Sequence, residues 1–229
     1  MNPRLRHIED LESRIKSQFP ALFITLVSVL VGLALADLVA EARARMVLWP
    51  ITLGTLRTWF ELATNGVSAL ALWTTYAHIG ISRWRVASLA DSFIAFILPL
   101  CLLFGNSFVG LQLMWPWLYF ATCFLALSLV TTIWQVHILS SEDGLESFRY
   151  LLRPGGYATI FVAGIPFYAV AGWADQHHLL SPLLEVLCAA TGGPSALLVC
   201  HLFLRDWHHA ISKARMIDPD SVDVPKRTG

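Results

Sequence analysis

Residues 92–141, SFIAFILPLCLLFGNSFVGLQLMWPWLYFATCFLALSLVTTIWQVHILSS, contain no Asp, Glu, Lys or Arg. About 50 uncharged residues in a row are too many for one helical crossing of ~30 Å of hydrocarbon, which takes ~20 residues. They fit two crossings joined by a tight turn. Gly105, Asn106, Ser107, Gly110 and the Trp115-Pro116 pair mark that turn between two apolar halves. Neither half alternates apolar with polar residues as a barrel strand would, so helices that satisfy their own backbone groups are the expected elements.

Four further charge-free runs lie outward from this stretch, at 17–36, 62–82, 154–174 and 186–204, each about 20 residues long. With the central pair they predict six spans, an all-α polytopic membrane bundle. Composition agrees: 56% of residues are hydrophobic, 14% are charged and mean hydropathy is +0.60. A soluble chain carries about 25% charged residues. The net charge of zero gives no attraction for nucleic acid. The expected organisation is an amphipathic N-terminal segment (1–19) on the inner leaflet, a membrane domain (20–207) and a polar, disordered tail (208–229). "TTYAHI" and "TTIWQVHI" at the ends of spans two and four suggest three helical hairpins.

With both termini inside, thirteen Lys and Arg fall on inner segments and only Arg43, Arg45 and Arg57 on outer ones. That bias orients the chain with cytoplasmic termini. The plasma membrane, of bacterial inner-membrane type, is the expected location of so compact a chain. Asp37 then follows the first span at the outer interface, where an acid costs little. Ala34-Leu35-Ala36 has the form of a signal-peptidase site, but the apolar stretch before it is long enough to span, so the first span is expected to be retained. Ser28, Gly32, Ala36 and Ala40 recur every fourth position, a groove for close helix packing within or between subunits. Ser88 and Asp91 have capping-box spacing before span three.

Enzyme signatures are lacking: there is no phosphate-cradling glycine loop, HExxH, nucleophile elbow or acidic metal cluster. Ser195 lacks the following glycine of an intramembrane serine protease, and His201 sits six residues on in the same helix. Cys101, Cys123, Cys188 and Cys200 fall inside spans without CxxC spacing and read as buried thiols. A non-enzymatic role, without metal, is expected.

Three polar constellations remain. Glu61, Asn65, Ser68 and Thr75 share one face of span two, echoed by Ser128, Thr131 or Thr132, and Gln135 in span four. Such a face must avoid lipid, as helix–helix glue or as a hydrated path. His78, His137 and His201 lie at matching depth near the inner interface, where they serve as interfacial side chains or, alternatively, as a proton-handling ring or as axial ligands of a haem b. Thr191, Gly192, Gly193, Pro194 and Ser195 interrupt span six, with Glu185 two turns before them on the same face. In transporters such breaks build ion and substrate sites. The leading expectation is passage of a small ion, a cation favoured, or of a solute across the lipid bilayer by a channel or transporter. Glu185, the 191–195 break and the Glu61, Asn65, Ser68 stripe would line the route. The alternatives are a non-catalytic assembly or accessory subunit, acting through a homo-oligomer or another partner, and a haem-binding redox protein.

Overall fold

A computed structural model describes residues 3–45, 50–82, 89–142 and 152–217. Among these residues there are six helices and no strand: α1 (Pro3–Arg45), α2 (Leu53–Ser82), α3 (Leu89–Asn106), α4 (Trp115–Glu142), α5 (Ala158–Gln176) and α6 (Pro182–Ile217). Their termini follow local chemistry. The Thr52 hydroxyl accepts from the Thr55 N–H (3.2 Å) at the start of α2, and the Ser181 hydroxyl accepts from the Leu184 N–H (3.4 Å) at the start of α6. Pro182 occupies the first turn of α6, where its missing N–H costs no helix bond. The turn expected between spans three and four is the connection from α3 to α4, where Gly110 has φ +66°.

Four helices contain stretches long and apolar enough to cross a membrane: Ala21–Arg45, Trp115–Trp134, Ala158–Gln176 and Pro182–Lys213. In α3 the described apolar stretch, Phe96–Asn106, is shorter, and α2 carries Arg57, Glu61 and Asn65 in its first half. Leu22, Val29, Leu70, Val130, Val162 and Leu197 are among many large apolar side chains that face outward. A soluble monomer does not expose apolar surface on this scale, whereas lipid solvates it. The chain is built as a membrane-embedded helical protein.

One set of contacts shows how the helices alternate in direction. The end of α1, through Arg45, reaches the carbonyls of Val109 and Ser107 after α3. Arg57, near the start of α2, meets Glu185 in the first turn of α6. The Trp115 N–H, at the start of α4, donates to Asp175 at the end of α5 (2.6 Å). The ends of α1, α3 and α5 and the starts of α2, α4 and α6 therefore gather around the 107–114 connection, here called the loop end. The far end holds Tyr76, Tyr157, Phe203 and Trp207.

Packing departs from three consecutive hairpins. The most extensive contact joins α2 to α6, and α4 pairs with α5, while α5 and α6 touch little. Two core clusters result. One unites Phe23, Val27, Val31, Leu72, Phe203 and Trp207; the other, nearer the loop end, unites Leu62, Met114, Trp117, Leu118, Tyr168 and Ala189.

Three expectations are corrected. The 191–195 segment is not a break, because α6 is helical from Pro182 to Ile217 with Pro194 inside it. The helix also runs past residue 208, with Ala210 fully buried, so the tail does not begin there. Within the chain only Ser28 of the α1 groove meets another helix, accepting from the Trp73 indole (2.9 Å): Gly32, Ala36 and Ala40 are exposed, and a Cβ on Gly32 would meet nothing within 4 Å. Phe23, Val27, Val31 and Ala34 form its buried face instead, since larger apolar side chains remove more area from solvent. The Ser88–Asp91 box, the side chains of residues 3–17 and residues 218–229 lie outside what the structure describes.

Candidate functional site

The space between the two core clusters is a partly open cavity of about 150 Å³, bounded by α2, α3, α4, α5 and α6. Thr64, Asn65, Ser68 and Thr75 line it from α2, and Gly192 and Ser195 from α6. The expected polar stripe of span two and the small-residue segment of span six thus face one chamber. From α4 the hydroxyls of Ser128, Thr131 and Thr132 join them, and aromatic rings such as Trp117, Phe120 and Tyr168 fill the remainder. No Asp, Glu, Lys or Arg lines the cavity.

The glycines of α6 serve approach rather than interruption. Gly192 lies against Thr64, whose Cγ2 and hydroxyl would overlap a Cβ at 192. The Thr64 hydroxyl donates to the carbonyl of Ala189 (3.1 Å), tying α2 to α6. Ser195 donates to Thr191 O (2.7 Å), and Thr191 donates to Cys188 O (2.8 Å). A helix with proline inside it is thus surrounded by hydroxyls bonded to its own carbonyls, which is how such residues are accommodated at membrane depth. Thr191 and Pro194 are exposed, and Gly193, although buried, is not part of the cavity wall.

Glu61 and Glu185, the acids expected to line the route, are instead bound up at the loop end. Arg57 Nη1 lies 2.5 Å from Glu185 Oε2, and its Nε lies 3.3 Å from Glu61 Oε1, close enough for an ion pair but not aligned as a hydrogen bond. Arg57 also donates to the carbonyls of Leu111 and Gln112. The Gly110 N–H donates to Glu61 Oε2 (2.7 Å). Gly110 needs its positive φ to present that N–H, and a side chain there would press on Thr58 and Arg45. Both ions are desolvated, with side-chain exposures of 9% for Arg57 and 1% for Glu61. A buried pair of this kind holds only when most of its remaining lone pairs and protons find partners, and here the connection's own backbone supplies them to Glu61 Oε2 and to both Arg57 Nη atoms, leaving Nε with the ion pair alone.

An amide relay runs beside this cluster. Asn106 donates to Ala34 O (2.8 Å) and to Asp37 Oδ2 (3.1 Å), and accepts from Asn65 Nδ2 (3.1 Å). Asn65 Oδ1 accepts in turn from the Trp117 indole (3.2 Å). Asp37 is therefore more than an interfacial acid: it is joined through Asn106 to the cavity residue Asn65.

The histidines do not form one group. His137 and His201 are exposed, whereas the His78 ring stands 5.0 Å from that of His208 and 6.0 Å from that of Trp207 at the far end. Among the described residues no three His, Cys, Asp or Glu side chains are grouped to hold a metal ion.

Sequence reasoning missed three contributors. Arg57 stands four residues before Glu61, a spacing that pairs charges on a helix, yet it counted only as an outer charge. Asn106 counted only as a turn residue. Asp206 counted only as the end of a span, but it is fully buried and accepts from the Tyr157 N–H (3.3 Å) and from Arg205 (2.8 and 2.9 Å).

Searches against family models, curated proteins and solved structures match this chain to none of them.

Proposed function

We propose that this protein is a six-span, non-catalytic membrane protein whose central cavity holds and passes a small uncharged solute. Both termini are cytoplasmic in this reading, in a plasma membrane of bacterial inner-membrane type. The observation that carries it is the cavity itself: polar residues of α2, α4 and α6 converge on one chamber without a charged wall. The alternation of helix ends around the loop end supports six traverses, and the Lys/Arg bias supports the orientation.

A cation is less well served. Glu61 and Glu185 are taken by Arg57, and a bare ion in an uncharged chamber would lack a counter-charge. The 107–114 connection, bound by Arg45, Arg57, Glu61 and Asp175, stands over the loop end as a closed cover. A second reading, an assembly subunit, draws on the open Gly32, Ala36, Ala40 face of α1.

Proteoliposome flux separates the two. Stopped-flow light scattering with small neutral solutes, beside a potassium flux assay, should show a permeability to neutral solutes above that of protein-free vesicles. Ser195→Phe, which fills the chamber, should abolish it. Vesicles no more permeable than controls would point to the assembly reading, and potassium flux without solute flux would reverse the preference for a neutral species.

A further inference from the structure

Several hydroxyls around the cavity are not equivalent to free alcohols, because their protons are already committed. Thr64 donates to Ala189 O, Ser128 to Phe124 O (2.7 Å), Thr131 to Ser128 O (2.9 Å) and Ser195 to Thr191 O. Tyr168 lies 3.1 Å from the Thr191 hydroxyl. The single proton of Thr191 goes to Cys188 O, so Tyr168 is the donor of that pair. The Asn65 amide N–H₂ is directed to Asn106 and the Trp117 indole N–H to Asn65. What these committed groups present to the chamber is chiefly oxygen lone pairs between aromatic rings. The wall accepts hydrogen bonds and has few left to give.

Ser68 differs from its neighbours. It lines the cavity and makes no hydrogen bond to another described residue, so its hydroxyl can both give and accept. Volume sets the second limit. A cavity of about 150 Å³ is the size that admits a single benzene-like ring. Charge sets the third: an anion would find no Lys or Arg in the wall, and a cation would find no carboxylate there.

We propose that the cavity binds a compact, uncharged ring carrying one hydrogen-bond donor, a phenol-like molecule whose O–H is anchored by Ser68. The proposal rests on the reading of the cavity as the solute's site, but its test is binding, not flux. The ring lies among Trp117, Phe120 and Tyr168, and its donor replaces the water that Ser68 would otherwise hold.

Four fluoroaromatic probes test this on the full chain in nanodiscs by fluorine NMR titration: 4-fluorophenol, fluorobenzene, 4-fluorobenzoate and 4-fluorobenzylammonium. Signal from lipid partitioning is subtracted using empty nanodiscs. The expected order is 4-fluorophenol first, fluorobenzene about fivefold weaker for want of one hydrogen bond, and both ions without saturable binding. Ser68→Ala should bring 4-fluorophenol down to the fluorobenzene level and leave fluorobenzene unchanged. Ser195→Phe should remove saturable binding of both, and a circular-dichroism melt of each variant shows that it is folded. Equal affinity for phenol and benzene, tighter binding of either ion, or an indifferent Ser68→Ala would each overturn the proposal. If solute flux persists while 4-fluorophenol fails to bind, the ligand class falls and the passage reading stands; binding without flux leaves the class and removes the passage.

Discussion

The two ends of the bundle each bury an acid, and they neutralise it in opposite ways. At the loop end both members of the ion pair are out of solvent, with Arg57 at 9% and Glu61 at 1% exposure, and Glu185 completes the cluster from another helix. At the far end only the acid is buried. Asp206 is at 0%, while its partners Arg205 and Arg153 are 46% and 38% exposed and stand 2.8 and 3.5 Å away. A desolvated cation cannot be replaced by solvent when it is lost, whereas an exposed arginine is already shared with water. The loop end is therefore specified by charge and the far end by backbone: Asp206 receives the Tyr157 N–H and fixes the approach to α5.

The contrast breaks first at Arg57. Arg57→Met leaves Glu61 and Glu185 without their counter-charge and should cost about 3–5 kcal/mol, seen as lost yield and a lower melting temperature in detergent. Adding Glu61→Gln and Glu185→Gln should recover most of that loss. If the triple variant melts no higher than the single one, the cluster's importance lies elsewhere than in charge balance.

At the far end, Asp206→Asn keeps an oxygen for the Tyr157 N–H and gives up only partly hydrated ion pairs. Its cost should be about 1–2 kcal/mol by the same melt, less than half that of Arg57→Met. A cost equal to that of Arg57→Met would erase the distinction between the ends.

The smallest effect expected is at the glycines of α6. Gly192→Ala drives a methyl into Thr64 and should cost about 1 kcal/mol, restored in part by Thr64→Ala. Gly193→Ala meets its nearest neighbour, also Thr64, at an ordinary 3.8 Å and should be neutral or slightly stabilising, since alanine favours helix. Similar melts for the two would show that the contact between Gly192 and Thr64 tolerates a methyl.

How far the sequence was legible follows from which forces act locally. The runs without charge and the turn at 105–110 are written in consecutive residues, and six helices with a turn at that place result. The i, i+3, i+10 face of Asn65, Ser68 and Thr75 is also local, and it lines the cavity as periodicity demands. What could not be read is partnership across the bundle. Nothing near Gly192 in the chain says that Thr64 occupies the missing Cβ, so glycines beside a proline read as a break. Nothing near Arg57 names Glu185, made 128 residues later. The same holds for Gly32: four-residue spacing states that a groove exists, but larger apolar neighbours on another face of α1 decide which side is covered.

The placing of Arg57 and Glu61 one turn apart has a consequence for how the protein is made. If all six helices insert, as the proposed reading has it, Glu185 emerges from the ribosome long after α2 enters the membrane, so it cannot accompany Arg57 during insertion. Glu61 can, because an i, i+4 pair travels with its own helix. α2 thus arrives with its charge already offset, and the later arrival of α6 converts a portable pair into a fixed joint. Biogenesis has a built-in order, in which the last helix seals what the second helix carried in.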